Sequence, residues 1–300
     1  MNAAAQEPVP FAHILNVTEE QYHADPCAVI SLNQSVAHEI VAECPLKGWQ
    51  AHPRLGKQQL DAEEAEKDTK ATLAGKVIHR LILGKGAEID LLDFPDFRTN
   101  RAKDARDESK AAGRLPVLRH HMDDFAGAAD ILREKISLLG YTFDGESEVA
   151  IEWNEDGARG PVRCRGRMDH LRRAMRQVID VKKIVSAHPT TISRHIYDYG
   201  YDVQWAAYTS GVSKLLGCTA DDISYILLFM EIEPPYVVTP VDMRLCHAYR
   251  EIGRMRWDRA VMLWEQCLHT NRWPEYANSA IGVEPMPYVM TQELGNSGNW

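Results

Sequence analysis

The sequence predicts an α/β fold in which a mixed β-sheet is flanked by helices and preceded by a helical front section. Three observations predict it. Apolar residues keep a helical spacing through the first half and change to a period of two from about residue 146. Three short strand candidates then follow one another, with links short enough for an antiparallel meander. Beyond them, helix, strand and helix alternate, which is the pattern of a sheet covered by helices.

Residues 1–68 read as helical or irregular. Within them SLNQSVAHEIVAECP (31–45) carries a helix start at Ser31 or Asn33 and a stop at Pro45. DAEEAEKDTKATLAGKVIHRLILG (61–84) is the strongest helix of the first half, with Ala71, Ala74, Ile78 and Leu81 at helical spacing and Gly84 as the stop. The polar run 91–110 reads as an exposed loop, and a helix follows over about 116–139. EVAIEW (148–153), VRCRGRMDH (162–170) and RQVIDVKKI (176–184) are the three strands. Residues 190–217 read as one or two helices, DISYILLFMEIE (222–233) as an apolar strand, PYVVTPVDM (235–243) as one more, and 242–272 as a long helix. The expected organisation is a front section over 1–68 packed on the core, the core over 69–276, and a flexible tail over 277–300.

With 300 residues, 45% hydrophobic and 26% charged, the chain has the composition of a globular protein. No stretch approaches the ~20 apolar residues that span a bilayer, and a cytoplasmic protein without membrane contact is expected. The six cysteines lie far apart with no CxxC pair, so neither a zinc ribbon nor an iron–sulfur site is indicated. A net charge of −9 argues against a polyanion partner, but its distribution reverses that impression. Residues 157–183 carry nine bases and two acids.

QVIDVKKIVS (177–186), at the end of this basic segment, is a sheet-core strand with charges set into it. Residues two apart share a face of a strand, so Asp180 and Lys182 point to one side and Ile179 and Val181 to the other. A hairpin with the preceding strand would bring Asp169 beside Asp180. Carboxylates gathered in an apolar setting repel each other and are costly to bury, so such a cluster commonly holds a divalent cation. Oxygen ligation suits Mg²⁺, with Mn²⁺ as a substitute. A nearby lysine can orient water or neutralise charge on a phosphoryl oxygen. Together these features specify metal-assisted phosphodiester hydrolysis; the plain alternative is a surface ion pair.

GRMDHLRRAMRQVIDVKKI resembles the D…(D/E)xK core of the PD-(D/E)xK nuclease superfamily, and its flanks resemble the phage-type, RecE-like (exonuclease VIII-like) branch. The likeness runs through NVTEEQYHADP (16–26), SLNQSVAHEIVAECP, the Gly-x-x-x-His helix LAGKVIHRLIL (73–83), the Glu-bearing strand SEVAIEW (147–153) and the Tyr-x-x-Gln-x-x-x-Tyr helix YDYGYDVQWAAYTSG (197–211). It departs from the superfamily pattern at Met168, where a proline is usual, at Asp180, where many relatives carry Glu, and at Lys183, where a small hydroxyl residue is common.

The resemblance implies a restriction-endonuclease-like core. It makes Asp169 and Asp180 metal-binding carboxylates, helped by the Val181 carbonyl, His79 and Glu148, and makes Lys182 the catalytic lysine. Gln204 and Tyr208 would support the site or touch DNA. Arg98, Arg101 and Lys103, with Arg163, Arg165, Arg167 and Lys183, are candidates for gripping phosphates. The implied activity is an Mg²⁺-dependent exodeoxyribonuclease that degrades the 5′ strand of linear duplex DNA for single-strand annealing, in a bacterial or phage-infected cell. A RecT-type annealing protein is the implied partner, and a homo-oligomer the implied assembly. The alternatives are a structure-specific or nicking endonuclease with the same site and a non-catalytic DNA-binding protein of this fold.

Overall fold

The computed structural model describes residues 11–56 and 70–294. In chain order, β1 (Ala12–Leu15) precedes α1 (Glu19–His23), α2 (Gln34–Ala42), α3 (Pro45–Ala51) and α4 (Lys70–Leu83). Next come β2 (Ile89–Leu92), α5 (Asn100–Ala111), β3 (Leu115–Leu118) and α6 (Arg119–Leu138). The central strands are β4 (Glu146–Asp156), β5 (Pro161–Arg172) and β6 (Gln177–Lys183). They lead into α7 (Pro189–Asp198), α8 (Tyr201–Leu216), β7 (Ser224–Met230), β8 (Val238–Asp242), α9 (His247–Thr270) and α10 (Pro287–Leu294).

Six strands form one mixed sheet in the order β1-β4-β5-β6-β7-β8, and β2 and β3 pair in parallel apart from it. The three strands with period two form the antiparallel meander that their short links predict. β6 and β7 run parallel, which requires a crossover; α7 and α8 supply it, separated at Gly200 in the left-handed region (φ 68°).

The alternation of β6 divides the interior in two. Val178 packs with Trp153, Met168, Phe229 and α2, α8 and α9 on one face. On the other, Ile179 and Val181 pack with β7 residues and with α4 and α6. Asp180 and Lys182 follow Val178 onto the α8 face, whereas Lys183 follows the apolar residues toward α4.

The elements differ from expectation in some places and sharpen it in others. The front section is more than helical, because β1 pairs with β4 and extends the sheet. The strand AHIL is too short for its alternation to stand out. Of the two expected helix starts Asn33 is the one used: it caps α2, its side chain accepting from the Val36 N–H at 2.9 Å, while Ser31 is buried elsewhere. Residues 61–69 of the expected first-half helix lie outside the described residues. The run 91–110 is a loop only over 93–99; the rest holds the end of β2 and α5, a helix capped by Thr99 that buries only Ala102 and Ser109 and so shows no apolar stripe. β3 occupies the start of the helix expected from 116. In the tail, α10 forms over residues 287–294.

A buried polar cluster joins the front section to β5. Asp25 accepts from Ser31 Oγ at 2.7 Å and pairs with Arg165 Nη1 at 3.3 Å. Arg165 also donates to the Ser31 carbonyl at 2.7 Å, and His52 Nε2 lies 3.4 Å from Asp25. Burial opposes the Asp25 charge, but His52 and Arg165 prevail and hold its carboxyl at about 2.

Candidate active site

The β4–β5 register sets Ser147 against His170 and Val149 against Met168, so Glu148 lies opposite Asp169 where the ladder is interrupted. Glu148 adopts the left-handed region (φ 57°), a strained conformation for a non-glycine residue. α4, packed on the adjacent sheet face, brings His79 to the same point. His79 Nε2 is 3.1 Å from Asp169 Oδ2, and Nδ1 is 3.8 Å from Glu148 Oε1. One ligand atom from each of the three residues lies within 4.8 Å of the others.

Next to this trio, the Val181 N–H donates to Asp169 Oδ2 at 2.7 Å. Asp180 stands outside the trio, and its Oδ2 receives Lys182 Nζ at 2.6 Å and Gln204 Nε2 at 3.0 Å. Lys182 Nζ also lies 4.6 Å from the centre of the Tyr201 ring. Tyr208 accepts the Arg167 N–H at 3.4 Å, and its ring packs where a Cβ on Gly166 would come within 2.7 Å. Arg167 Nη2 bridges Glu148 at 2.7 Å and Glu19 at 3.3 Å.

The charges are tightly balanced. Burial works against the Asp169 anion, yet His79, Lys182 and the Val181 N–H outweigh it and hold the carboxyl well below the usual carboxylate range. Burial pushes Glu148 up to about 7; the Asp169 charge adds to this, against Arg167 and His79. Asp180 is likewise raised to about 7, by burial and Asp169 against Lys182. Burial disfavours the His79 cation, but Asp169, Glu148 and Asp180 raise it overall. Three carboxylates and an imidazole that resist simultaneous ionisation in a small volume fit a divalent cation, which would relieve their repulsion.

Two cavities of about 410 and 230 Å³ meet at Glu148, Arg167 and Asp169. The larger, toward α4, is lined by Lys76, Arg80, Lys85 and Lys183. The Lys183 stem crosses Gly75, where a Cβ would lie 2.9 Å from its Cδ. The smaller holds Tyr22, Gln34, Asp180, Lys182, Gln204 and Tyr208.

The other predicted phosphate contacts part company. Arg165 is fully buried, which removes it from any contact with DNA. The alternation that groups it with Arg163 and Arg167 is real, but the front section covers it. Arg163 is held by Glu152 at 2.5 Å and stacks on Phe11 at the β1 edge. Arg98, Arg101 and Lys103 are exposed around the start of α5 and line neither cavity. Sequence reasoning missed Glu19 and Tyr201. Tyr201 was within reach, being the first tyrosine of the Tyr-x-x-Gln-x-x-x-Tyr spacing on one face of α8.

The mixed sheet flanked by helices, with Asp169 and an Asp180-x-Lys182 triplet on its neighbouring strands, is a PD-(D/E)xK-type fold. Residues 45–281 match the family described as PDDEXK-like domain of unknown function (DUF3799), and the chain belongs to that family. The structure is similar to that of a candidate exonuclease from Eubacterium rectale, with TM-score 0.53 and 13% identity, covering 94% of this chain and 99% of that one. At that identity the likeness is one of fold. A phage-related exonuclease from Haemophilus somnus 129PT aligns with TM-score 0.35 and 12% identity, over 83% of this chain and 99% of its own. No curated protein matches the chain. Among the described residues no helix is long and apolar enough to cross a membrane.

Proposed function

We propose that the chain is a divalent-metal-dependent deoxyribonuclease that attacks linear duplex DNA from its ends. The observation that carries this reading is the convergence of His79, Glu148 and Asp169 within 4.8 Å beside the Asp180–Lys182 pair. His79, Glu148 and Asp169 would hold Mg²⁺ or Mn²⁺, with Asp180 and the Val181 carbonyl completing the set that the superfamily resemblance implies. When bound, the cation supplies Lewis acidity toward a phosphoryl oxygen and the attacking water.

The residues of the chain do the rest. Gln204 fixes one Asp180 oxygen through its amide, which leaves the other oxygen to be aimed. Lys182, whose proton is held by Asp180 and Asp169 despite burial, orients water and neutralises charge growing on the phosphate. Arg167 keeps Glu148 in place. Lys183, with Lys76, Arg80 and Lys85, gives the larger cavity the basic lining that a DNA strand requires.

Exonucleolytic attack is favoured by the description of the Eubacterium rectale protein as a candidate exonuclease. The 5′ polarity, a role in single-strand annealing beside a RecT-type partner, and a homo-oligomeric assembly rest on the RecE-like motifs alone. The test incubates linear and covalently closed duplex with Mg²⁺ and wild type, Asp180→Ala or Lys182→Ala. Wild type should degrade the linear form and spare the closed one, and each variant should lose at least ~10²-fold in rate. Cutting of closed circles would make the protein an endonuclease. Undiminished degradation by both variants would remove the site.

A further inference from the structure

The three residues of the trio come from three elements, α4, β4 and β5, and each has a neighbour in one continuous hydrogen-bond chain. His170 follows Asp169, Ser147 precedes Glu148, and Leu83 lies one helical turn beyond His79 on α4.

The direction of the chain is fixed by its ends. His170 Nε2 accepts the Gly145 N–H at 2.9 Å, so this nitrogen carries no proton and the neutral ring is protonated at Nδ1. Nδ1 lies 3.0 Å from Ser147 Oγ, and Ser147 Oγ in turn donates to the Leu83 carbonyl at 3.0 Å. Leu83 is the last residue of α4, where helix carbonyls lack partners within the helix. A glycine is required at 145, because a Cβ there would lie 2.4 Å from the Leu171 carbonyl and 3.0 Å from His170 Nε2. His170 itself is fully buried, with Phe143 edge-on at 5.3 Å.

We infer that the Gly145–His170–Ser147–Leu83 chain is a positioning device that locks the end of α4 to the β4–β5 hairpin and thereby sets the spacing of His79, Glu148 and Asp169. Ser147 and His170 touch none of the reacting atoms. They act by holding three elements in one register, as partners behind a metal site do elsewhere. The inference rests on the metal reading given above.

The test is Mn²⁺ binding by the full chain without DNA, measured by calorimetry, with thermal unfolding followed in parallel. Ser147→Ala should weaken Mn²⁺ affinity about tenfold. Ser147→Thr, which keeps the hydroxyl, should stay within about twofold of wild type, whereas Ser147→Val, isosteric with the threonine variant but without its hydroxyl, should match the alanine variant. His170→Ala should weaken binding similarly, and the double variant should lose no more than the worse single one, because the chain fails as a unit. Val261→Ala, remote in the α9 core, should lower the melting temperature and leave Mn²⁺ affinity unchanged.

Affinity within about twofold of wild type for both Ser147→Ala and Ser147→Val overturns the inference. So does an equal loss in Val261→Ala, which would reduce the chain to general stability. Asp169→Asn separates this failure from that of the function. If Asp169→Asn binds Mn²⁺ like wild type, the metal reading itself falls; if it does not bind while Ser147→Ala and Ser147→Val keep wild-type affinity, only the positioning device falls.

Discussion

Cation binding at this site should expel protons, because Glu148 and Asp180 are each pushed up to about 7, primarily by burial. At pH 7 each is therefore about half protonated, and the two hold about one proton between them. A cation needs ionised carboxylates and neutral imidazole. Binding at pH 7 should thus release about one proton from the carboxylates, and up to about one more from His79, whose value the carboxylates raise. By pH 8 the carboxylate share falls to roughly 0.2. The apparent Mn²⁺ affinity should consequently drop at least about tenfold from pH 7 to pH 6.

Calorimetric titration of the metal-free protein in buffers of different ionisation enthalpy measures the release directly. The same groups govern stability. Glu148 and Asp180 bind protons more tightly folded than unfolded, so the metal-free protein loses stability as pH rises from about 5 through 7, and saturating Mn²⁺ should cancel the loss. Asp169, whose folded value is depressed, works in the other direction, and its contribution disappears only as pH falls below about 4. Proton release near zero at pH 7, with an affinity flat from pH 6 to 8, would refute the electrostatic account of the site.

Other consequences are as direct. Arg165→Ala removes one partner of the buried Asp25 carboxylate, which keeps Arg54 and His52 at 3.4 Å, so urea unfolding should show a loss of about 3 kcal/mol, the low end for a broken buried pair; less than about 1 kcal/mol would mean that the cluster is solvated. Lys183→Ala should weaken binding of duplex DNA in Ca²⁺ and reduce the salt slope of the affinity by about 0.9, the value for one phosphate contact. Gly75→Ala should act in the same direction by displacing the Lys183 stem, and an unchanged slope in both variants would take Lys183 out of the DNA path. Asp180→Ala and Lys182→Ala should part company in Mn²⁺ calorimetry: loss of the lysine should leave binding in place, since it offers the cation no ligand.

Local spacing in the sequence determined a great deal. The change of period near residue 146, the short links and the alternation around Asp180 are properties of neighbouring residues, and they foretold the meander and the separate faces of β6. Elements without such a local signature stayed hidden. α5 buries too little to show a stripe, and β1 is a strand only because β4 offers it an edge.

The site itself divides in the same way. Asp180 and Lys182 were legible as a pair, but the resemblance, and no spacing argument, brought in His79 and Glu148. Only tertiary structure set Glu148 opposite Asp169 and swung α4 against both. It also gave different fates to Arg165 and Arg167, which the strand period treats alike. The front section closes over Arg165 and pairs it with Asp25, while at Arg167 the cleft is open and the guanidinium meets Glu148. Alternation tells which side of a strand a residue takes, a matter of backbone geometry; what covers that side depends on segments more than a hundred residues away.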